Sequence, residues 1–310
     1  MVNIVGIHVE DVRFPTSKDL TGSDAIHTDP DYSATYVTIN TSEPKLKGFG
    51  IAFTIGKGND IVAECIRNYI PIFDGLSIKE VEKNIGKLWF DCVDHSQLRW
   101  LGPEKGVVHM AVAALFNALW DLISKKNKKP LWKFVVESNP ETIMNWLTFK
   151  YIEDVMTKDD AYKIITENQK YKKERTDIIL KEGYPSYTTA AGWLGYSNEK
   201  IIDLCKQYMA KGWKHFKIKV GLNLEQNVKR LEIIRNTIGD DCFIMVDANQ
   251  QWSVNQSIKH INAYKKFNLL FVEEPTSPDD VMGFKKIKIQ RRLDFRLHIL
   301  GDRSFKRTWF

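Results

Sequence analysis

The sequence has little of what marks secreted or membrane proteins. It contains four cysteines in 310 residues, and they lie far apart, without the spacing of a zinc site. We expect all four thiols to be buried and reduced: Cys65, Cys92, Cys205 and Cys242. No uninterrupted apolar run approaches the roughly 20 residues that cross a bilayer, so we expect no membrane partner.

The N-terminus also lacks a targeting signal. Its first residues, MVNIVGIHVEDVRF, have neither the apolar core of a signal peptide nor the Arg-rich, acid-poor composition of a transit peptide. They alternate apolar and polar positions instead, as a strand does. This predicts a cytoplasmic protein.

The main body of the chain has no excess of either charge. The whole sequence has 45 Lys and Arg against 39 Asp and Glu, but residues 281–310 alone hold nine basic residues against two acidic ones. The other 280 residues carry 36 basic and 37 acidic side chains. The basic character therefore belongs to the last segment, and we expect no nucleic-acid partner for the main body.

Residues 1–137 predict an N-terminal α+β domain. Three runs alternate apolar and polar residues and predict an antiparallel sheet: Ile4–Phe14, Ala34–Asn40 and Gly48–Ile55. The loop Pro15–Ser33 is long, and long loops in compact domains are commonly lids or binding loops. The pattern turns helical from Asp60, and Val107–Ile123 predicts a core helix.

Residues 138–283 predict the first part of a β/α barrel. After a polar, helical connector come three short apolar runs, KHFKIKVG, FIMVDANQQW and LLFVEEP, which indicate parallel strands joined by helices. Helices are predicted at Leu224–Ile238 and Ser253–Phe267. A strand at Tyr184–Trp193 and a helix at Ser197–Gly212 precede them.

The predicted fold class is therefore α/β, with an N-terminal α+β capping domain followed by a partial TIM-type barrel. Four barrel strands are predicted, counting Tyr187–Thr189 as the first, with a candidate fifth at Leu297–Leu300. A closed barrel needs eight. Residues 284–310 form a divergent basic tail in which we expect no helical pattern.

Charged side chains end the barrel strands at a regular interval. Lys219, Asp247 and Glu273 are 28 and 26 residues apart, about one strand–helix unit each time. Polar residues at the carboxyl ends of successive parallel strands form the active site of a β/α barrel. A basic residue followed by two carboxylates predicts a proton-abstracting lysine that faces a divalent metal.

Lys217 and Lys219 are two residues apart on one strand, so their side chains share a face. At a barrel mouth, mutual repulsion and desolvation would lower their pKa values and make one of them a base near neutral pH. The alternative is a lysine face on a solvated edge strand.

Asp247 and Glu273 end apolar runs that should be buried, where an unpaired carboxylate is costly. Oxygen ligands from separate strands suit Mg²⁺, so we predict both as metal ligands. Asn249 lies on the Asp247 side of its strand and is a candidate substrate contact. Glu274 points to the other side, where we expect a structural ion pair.

The motifs K-x-K, V-D-A-N-Q and E-E-P resemble the mandelate racemase-like branch of the enolase superfamily. Four longer stretches narrow the resemblance to the L-fuconate dehydratases: RFPTSKDLTGSDAIHTDPDYSA, LRWLGPEKGVVHMA, YPSYTTAAGWLGYS and VEEPTSPDD. The resemblance covers residues 1–283 almost continuously.

This resemblance implies an acid-sugar dehydratase that eliminates water from L-fuconate to give 2-keto-3-deoxy-L-fuconate. It places Mg²⁺ on Asp247 and Glu273 and makes Lys219 the base that takes the α-proton. Lys217 would help to neutralise the substrate carboxylate, and the metal and lysine would stabilise an ene-diolate. It also adds mitochondria as an alternative location.

In the same family the N-terminal loop closes over the substrate. The resemblance therefore makes four residues candidate substrate contacts: Gly22, Ser23, Asp24 and Tyr32. Without it, the GSD stretch is an ordinary turn and Tyr32 an ordinary packing residue. The sequence leaves the oligomeric state open, a homo-oligomer included.

The resemblance ends after Gly283. Family members supply a third metal carboxylate, then an Asp and a His, from later strands. Asp302 lies 29 residues past Glu273, at the right interval for the third carboxylate, with coincidence as the alternative. We predict a truncated product with little turnover. The alternative is a non-catalytic regulatory or binding isoform whose basic tail contacts an anionic partner.

Overall fold

The computed structural model describes residues 1–102, 105–291 and 298–300. The chain divides into two compact units. The first joins residues 1–14 to residues 31–184, and the second joins residues 15–30 to the described residues from 185 onward. Most of the long loop after the first strand therefore belongs to the second unit.

A three-stranded antiparallel sheet begins the first unit. Its strands, in spatial order, are β1 (Ile4–Val12), β2 (Ser33–Thr41) and β3 (Lys47–Thr54). Side chains of β3 alternate between exposed and buried, as expected for a sheet with one covered face. The predicted antiparallel sheet is confirmed.

Helices make up most of the remaining first unit. They are α1 (Asn59–Phe73), α2 (Ile78–Val93), α3 (Val107–Lys126), α4 (Leu131–Glu137), α5 (Pro140–Met144), α6 (Lys158–Asn168) and α7 (Lys172–Glu182). Across the described chain, 3-10 turns lie at Thr16–Lys18, Arg99–Leu101, Gln169–Tyr171 and Lys265–Phe267. Cys65 and Cys92 are free and buried in this unit, as expected.

Helix α3 packs directly on the backbone of β3. A Cβ atom at Gly48 would lie 2.2 Å from the carbonyl oxygen of Ala118, and one at Gly50 would lie 2.1 Å from that of Ala114. By length and composition α3 could cross a membrane, but most of it is buried inside the structure. This burial is typical of a core helix.

The second unit contains a parallel sheet. Its strands, in spatial order, are β4 (His215–Lys219), β5 (Phe243–Asp247), β6 (Leu269–Glu273) and β7 (His298–Leu300). Its helices are α8 (Asn198–Ala210), α9 (Leu224–Ile238), α10 (Val254–Ala263) and α11 (Val281–Arg291). The alternation of strand and helix is that of a β/α barrel.

Local signals set where the second unit's helices begin. The side chains of Ser197, Asn223 and Ser253 each accept a hydrogen bond from the backbone N–H three residues on, which caps α8, α9 and α10. Cys205 and Cys242 are free and buried here. The helices and strands share one apolar core, in which Phe216 and Val246 are fully buried.

The stretch Tyr184–Trp193 is not a strand, contrary to the prediction. Only one residue pair, Thr188 and Phe216, forms a parallel bridge there. The helix predicted over Ser253–Phe267 ends at Ala263, and a 3-10 turn completes it. The predicted fifth strand is present as β7, paired in parallel with β6.

The prediction that residues 284–310 lack a helical pattern is wrong for residues 284–291, which lie in α11. The Asp280 side chain accepts a hydrogen bond from the Gly283 N–H at 2.7 Å and caps the helix. Ile287 is fully buried in the second core. Ile287 is flanked by Lys286 and Lys288 in the sequence. Because the helix packs on the core mainly through this one deeply buried residue, its sequence shows almost no apolar face.

The unit boundary also differs from the predicted one after residue 137. Residues 138–184 group with the first unit. Trp146 is one reason, because its ring packs against Trp120, with centroids 5.1 Å apart, and stacks on Phe134 at 5.7 Å. These contacts join the connector to the helices that precede it.

Candidate active site

The carboxyl ends of β4, β5 and β6 bring the predicted charged residues together. The strands are parallel, with Lys219 opposite Asp247 and Asp247 opposite Glu273. Residues at the same level of neighbouring parallel strands lie about 5 Å apart. Residues 28 and 26 positions apart in the sequence therefore become neighbours at one edge of the sheet.

Two lysines and two carboxylates form a connected cluster at this edge. Lys217 Nζ donates to Asp247 Oδ2 at 3.1 Å and to Glu273 Oε2 at 2.7 Å. Lys219 Nζ donates to the same Asp247 oxygen at 2.8 Å. Asp247 therefore bridges the two lysines, and Lys217 bridges the two carboxylates.

Both lysine side chains are on the same face of β4, as predicted, and both are buried. Lys217 and Lys219 are each only 8% exposed, and Asp247 is 3% exposed. The alternative of a solvated lysine face is therefore wrong. Charges this deeply buried need partners, and the cluster supplies them internally.

The expected lowering of the pKa is wrong for Lys217. Burial alone would lower its pKa, but the charges of Asp247 and Glu273 outweigh burial and raise it. Burial likewise opposes ionisation of Asp247, yet the two lysines hold its pKa below the usual value. The pKa of Glu273 is raised, first by burial and then by the charge of Asp247.

Asn249 orients the cluster, a role that the sequence did not indicate. Its Oδ1 accepts from Lys219 Nζ at 2.9 Å, and its backbone N–H donates to Asp247 Oδ1 at 3.0 Å. Its backbone has a φ of +48°, a region that Asn tolerates better than most residues. Glu274 accepts hydrogen bonds from the side chains of Asn249 and Gln250, at 3.5 and 3.2 Å.

Two aromatic rings lie beside the lysines and were missed by sequence reasoning. Lys217 Nζ is 5.1 Å from the centre of the Tyr187 ring, and Lys219 Nζ is 5.7 Å from that of Trp193. These are cation–π distances. The signal was present in YPSYTTAAGW, but only the fold places these rings near β4.

The loop residues predicted as substrate contacts occupy different surroundings. Ser23 and Asp24 are buried in the second unit. Asp24 Oδ1 accepts from the backbone N–H groups of Ile26 and His27, at 2.9 and 2.7 Å. Among the described residues, no polar contact of Ser23 or Asp24 reaches the lysine–carboxylate cluster.

Gly22 and Tyr32 complete the predicted loop set. Gly22 has a φ of +88° and belongs to the second unit. Tyr32 belongs to the first unit, where its ring packs edge-on against Phe53 with centroids 5.0 Å apart. The packing role that the sequence allowed for Tyr32 is therefore present.

The donor set at the strand ends fits a hard divalent cation. Asp247 Oδ2 and Glu273 Oε2 already converge on one positive charge, the Lys217 ammonium, and carboxylate oxygens are the ligands that Mg²⁺ prefers. Among the described residues no group of three or more His, Cys, Asp or Glu side chains forms a metal cluster. Asp302, the predicted third ligand, lies outside the described residues.

Comparison with known proteins agrees with this architecture. The family described as enolase C-terminal domain-like matches residues 200–309. The L-galactonate dehydratase of Hypocrea jecorina is 43% identical over 290 residues, which cover 93% of this chain and 64% of that protein. The chain spans about 64% of the length of the curated relatives that it matches at this level of identity.

Solved structures extend the comparison to the fold. The crystal structure of human mitochondrial enolase superfamily member 1 is 42% identical and superposes with a TM-score of 0.92, covering 96% of this chain and 68% of that one. A magnesium-bound racemase from Streptomyces coelicolor is 24% identical, with a TM-score of 0.69 over 96% of this chain and 68% of its own, and shows the fold alone. The chain belongs to the enolase superfamily.

Proposed function

We propose that this site removes water from a small acid sugar, with L-fuconate as the substrate and 2-keto-3-deoxy-L-fuconate as the product. The observation that carries the proposal is the convergence of two lysines and two carboxylates at the carboxyl ends of three adjacent parallel strands. This arrangement pairs a proton acceptor with oxygen ligands for a cation, as abstraction of a proton next to a carboxylate requires.

Lys219 is the proposed base. Its Nζ is fixed by Asp247 and Asn249, so its direction is set before a substrate arrives, which lowers the entropic cost of proton transfer. Lys217 would face the substrate carboxylate, whose negative charge its ammonium group can hold. Asn249 is the proposed amide contact to a substrate hydroxyl.

Asp247 and Glu273 are the proposed Mg²⁺ ligands, and Asp302 remains a predicted third ligand. A bound Mg²⁺ would supply Lewis-acid stabilisation of the charge that builds on the substrate carboxylate as the α-proton leaves. Carboxylate oxygens supplied by separate strands are the ligands that suit this metal, which supports the choice of Mg²⁺. The leaving hydroxyl also needs a proton, which the family resemblance assigns to a histidine on a later strand.

The substrate class is supported by the name of one relative. The Hypocrea protein is an L-galactonate dehydratase, and L-fuconate is the 6-deoxy form of L-galactonate. The two acids share every stereocentre from C2 to C5, so one arrangement of base and ligands suits both. The proposed loop contacts for the sugar hydroxyls are Gly22, Ser23 and Asp24, which belong to the same unit as the cluster.

Exchange of the substrate α-proton with solvent tests the proposal even where elimination is slow. We expect L-fuconate incubated with the 310-residue chain and Mg²⁺ in D₂O to lose its C2 proton signal in NMR spectra. L-galactonate should exchange as well. Formation of the 2-keto-3-deoxy acid, measured in parallel, should be weak.

Matched lysine variants give the control. Lys219→Met should abolish exchange, whereas Lys214→Met, which changes an exposed lysine just before the same strand, should not. Exchange that survives Lys219→Met would exclude Lys219 as the base. An absence of exchange in the unmutated chain with both acids would overturn the proposal for this polypeptide.

A further inference from the structure

A tight turn, Gly192–Tyr196, connects the proposed base to the N-terminal loop. On one side, the Lys219 backbone N–H donates to the Gly192 carbonyl at 2.9 Å. The Trp193 ring lies beside Lys219 Nζ at 5.7 Å. The turn therefore sets both the backbone position of Lys219 and the surroundings of its amine.

On the other side, the same turn binds the loop through three hydrogen bonds. Leu194 N–H donates to the Ser23 carbonyl at 3.0 Å, and Gly195 N–H donates to Ser23 Oγ at 2.9 Å. The hydroxyls of Tyr196 and Thr21 are 2.9 Å apart. The loop is thereby held against the turn, all within the second unit.

Arg230, on α9, binds this turn through hydrogen bonds to its backbone. Its Nη2 donates to the carbonyls of Gly192 and Trp193, at 3.1 and 2.5 Å. The side chain is buried, with 7% exposure, and burial lowers its pKa to about 10. Among the described residues, no carboxylate pairs with Arg230.

A buried guanidinium without a counter-ion is costly, and carbonyl dipoles offset the cost only in part. Burial of the Arg230 side chain therefore costs folding free energy, and its position calls for another explanation. The Gly192 carbonyl shows what that position does, because it accepts from both Arg230 and the Lys219 N–H. Arg230 and Lys219 are thus joined through a single oxygen atom.

A second arginine on α9 provides a contrast. Arg235 donates to the carbonyls of Gly239, Cys242 and Phe267 at 2.7–2.8 Å. Cys242 and Phe267 precede β5 and β6, at the amino ends of the strands. Both arginines donate to backbone carbonyls, although Arg235 also has the Asp240 carboxylate 3.9 Å away. Of the two, it is Arg230 that supports the turn in contact with both Lys219 and the loop.

We propose that Arg230 is a positioning residue that keeps the Gly192–Tyr196 turn in place as the common support for Lys219 and for the loop residues Thr21 and Ser23. Loss of its two hydrogen bonds would release the loop and the Lys219 backbone together. The consequence for catalysis rests on the proposed function, but the coupling of loop and turn does not.

Hydrogen exchange measures that coupling directly and needs no turnover. The N–H groups of Leu194 and Gly195 are protected by Ser23, so their exchange rates report release of the loop. In the 310-residue chain, we expect Arg230→Met to speed exchange at both amides and at the Lys219 amide by about tenfold or more, because hydrogen bonds to charged donors are lost. Arg230→Lys keeps the charge on a shorter side chain and should give an intermediate increase.

Arg235→Met is the matched control. It removes a guanidinium that also donates to backbone carbonyls, from the same helix. It should therefore speed exchange at the amino ends of β5 and β6 and leave Leu194, Gly195 and Lys219 unchanged. Equal acceleration at these three amides by both variants would overturn the proposal. So would unchanged exchange in Arg230→Met.

The unmutated chain gives a second test, in case the Arg230 variants do not fold. The amides of Leu194, Gly195 and Lys219 should open as one unit, with the same dependence on low concentrations of denaturant. If the Lys219 amide opens independently of the other two, the turn is not a common support and the proposal fails.

Discussion

The two ends of the parallel sheet β4–β6 are held together by opposite means. At the carboxyl end, four charged side chains (Lys217, Lys219, Asp247 and Glu273) neutralise one another within a buried cluster. At the amino end, Arg235 binds neutral carbonyl groups, and the His215 ring stacks on Phe243 with centroids 4.7 Å apart. The carboxyl end therefore depends on a balance of buried charges, whereas the amino end depends on hydrogen bonds to the backbone and on ring stacking.

The largest effect should come from breaking the charge balance at the carboxyl end. Asp247→Leu would leave Lys217 and Lys219 buried with too little negative charge, and we expect it to lower the free energy of unfolding by about 3–5 kcal/mol. Replacing all four members of the cluster by apolar residues should cost less than this single change. Urea denaturation of both variants measures the difference, and a milder effect of Asp247→Leu would contradict the view of a balanced cluster.

A smaller effect should follow from the addition of Mg²⁺. A ligand that binds only the folded chain stabilises it by about 2.7 kcal/mol at 100 times its dissociation constant. Thermal unfolding with and without Mg²⁺ should therefore show a higher Tm for the unmutated chain and little change for Asp247→Asn. Arg235→Met, at the other end of the sheet, should keep the full Mg²⁺ effect. Equal shifts in all three would place the metal elsewhere.

At the amino end, Arg235→Met should cost about 2 kcal/mol of unfolding free energy, because three carbonyl groups lose a charged donor. Arg235→Lys should recover part of that cost, since an ammonium still reaches some of the same oxygens. Denaturant titration of the two variants is the measurement. If both variants are as stable as the unmutated chain, the hydrogen bonds from Arg235 to the carbonyl groups contribute nothing measurable to the free energy of unfolding.

The smallest effect concerns pH. Burial lowers the pKa of His215 from its usual 6.5, so the neutral ring is favoured in the folded chain. Stability from this group is complete above about pH 6.5 and is lost as the pH falls below that value, because the unfolded chain binds the proton first. His215→Phe should flatten the decline between pH 6.5 and 5 by at most about 1 kcal/mol per pH unit. An unchanged slope would exclude His215 as its source.

The sequence predicted the positions of the charged cluster because strand-end spacing is a property of the chain alone. Lys219, Asp247 and Glu273 recur at the β/α interval, and the pairing of parallel strands brings them together at one edge. The raised pKa of Lys217 could not be predicted from the sequence, because it depends on the distances from its amine to carboxylates on other strands. The two-residue spacing of the lysines indicated mutual repulsion, but attraction to the carboxylates of the neighbouring strands has the larger effect on the pKa of Lys217.

Two misses have the same physical origin. Trp193 and Tyr187 lie on a segment that forms only one bridge to the sheet, so strand periodicity gives no information about where their rings point. Helix α11 buries Ile287 among lysines, and one buried side chain does not produce a readable apolar stripe. In both cases tertiary packing overrides the local pattern.

The contact between α3 and β3 has a consequence for how the first unit reaches a single arrangement. Gly48 and Gly50 touch the helix backbone, and the residues between and beside them are Phe49 and Ile51, which point the other way. A slip of one position would press an aromatic ring into a space too narrow for a methyl group. A misaligned pairing is therefore sterically excluded, so the contact between α3 and β3 fixes the alignment of the strand on the helix in the folded unit.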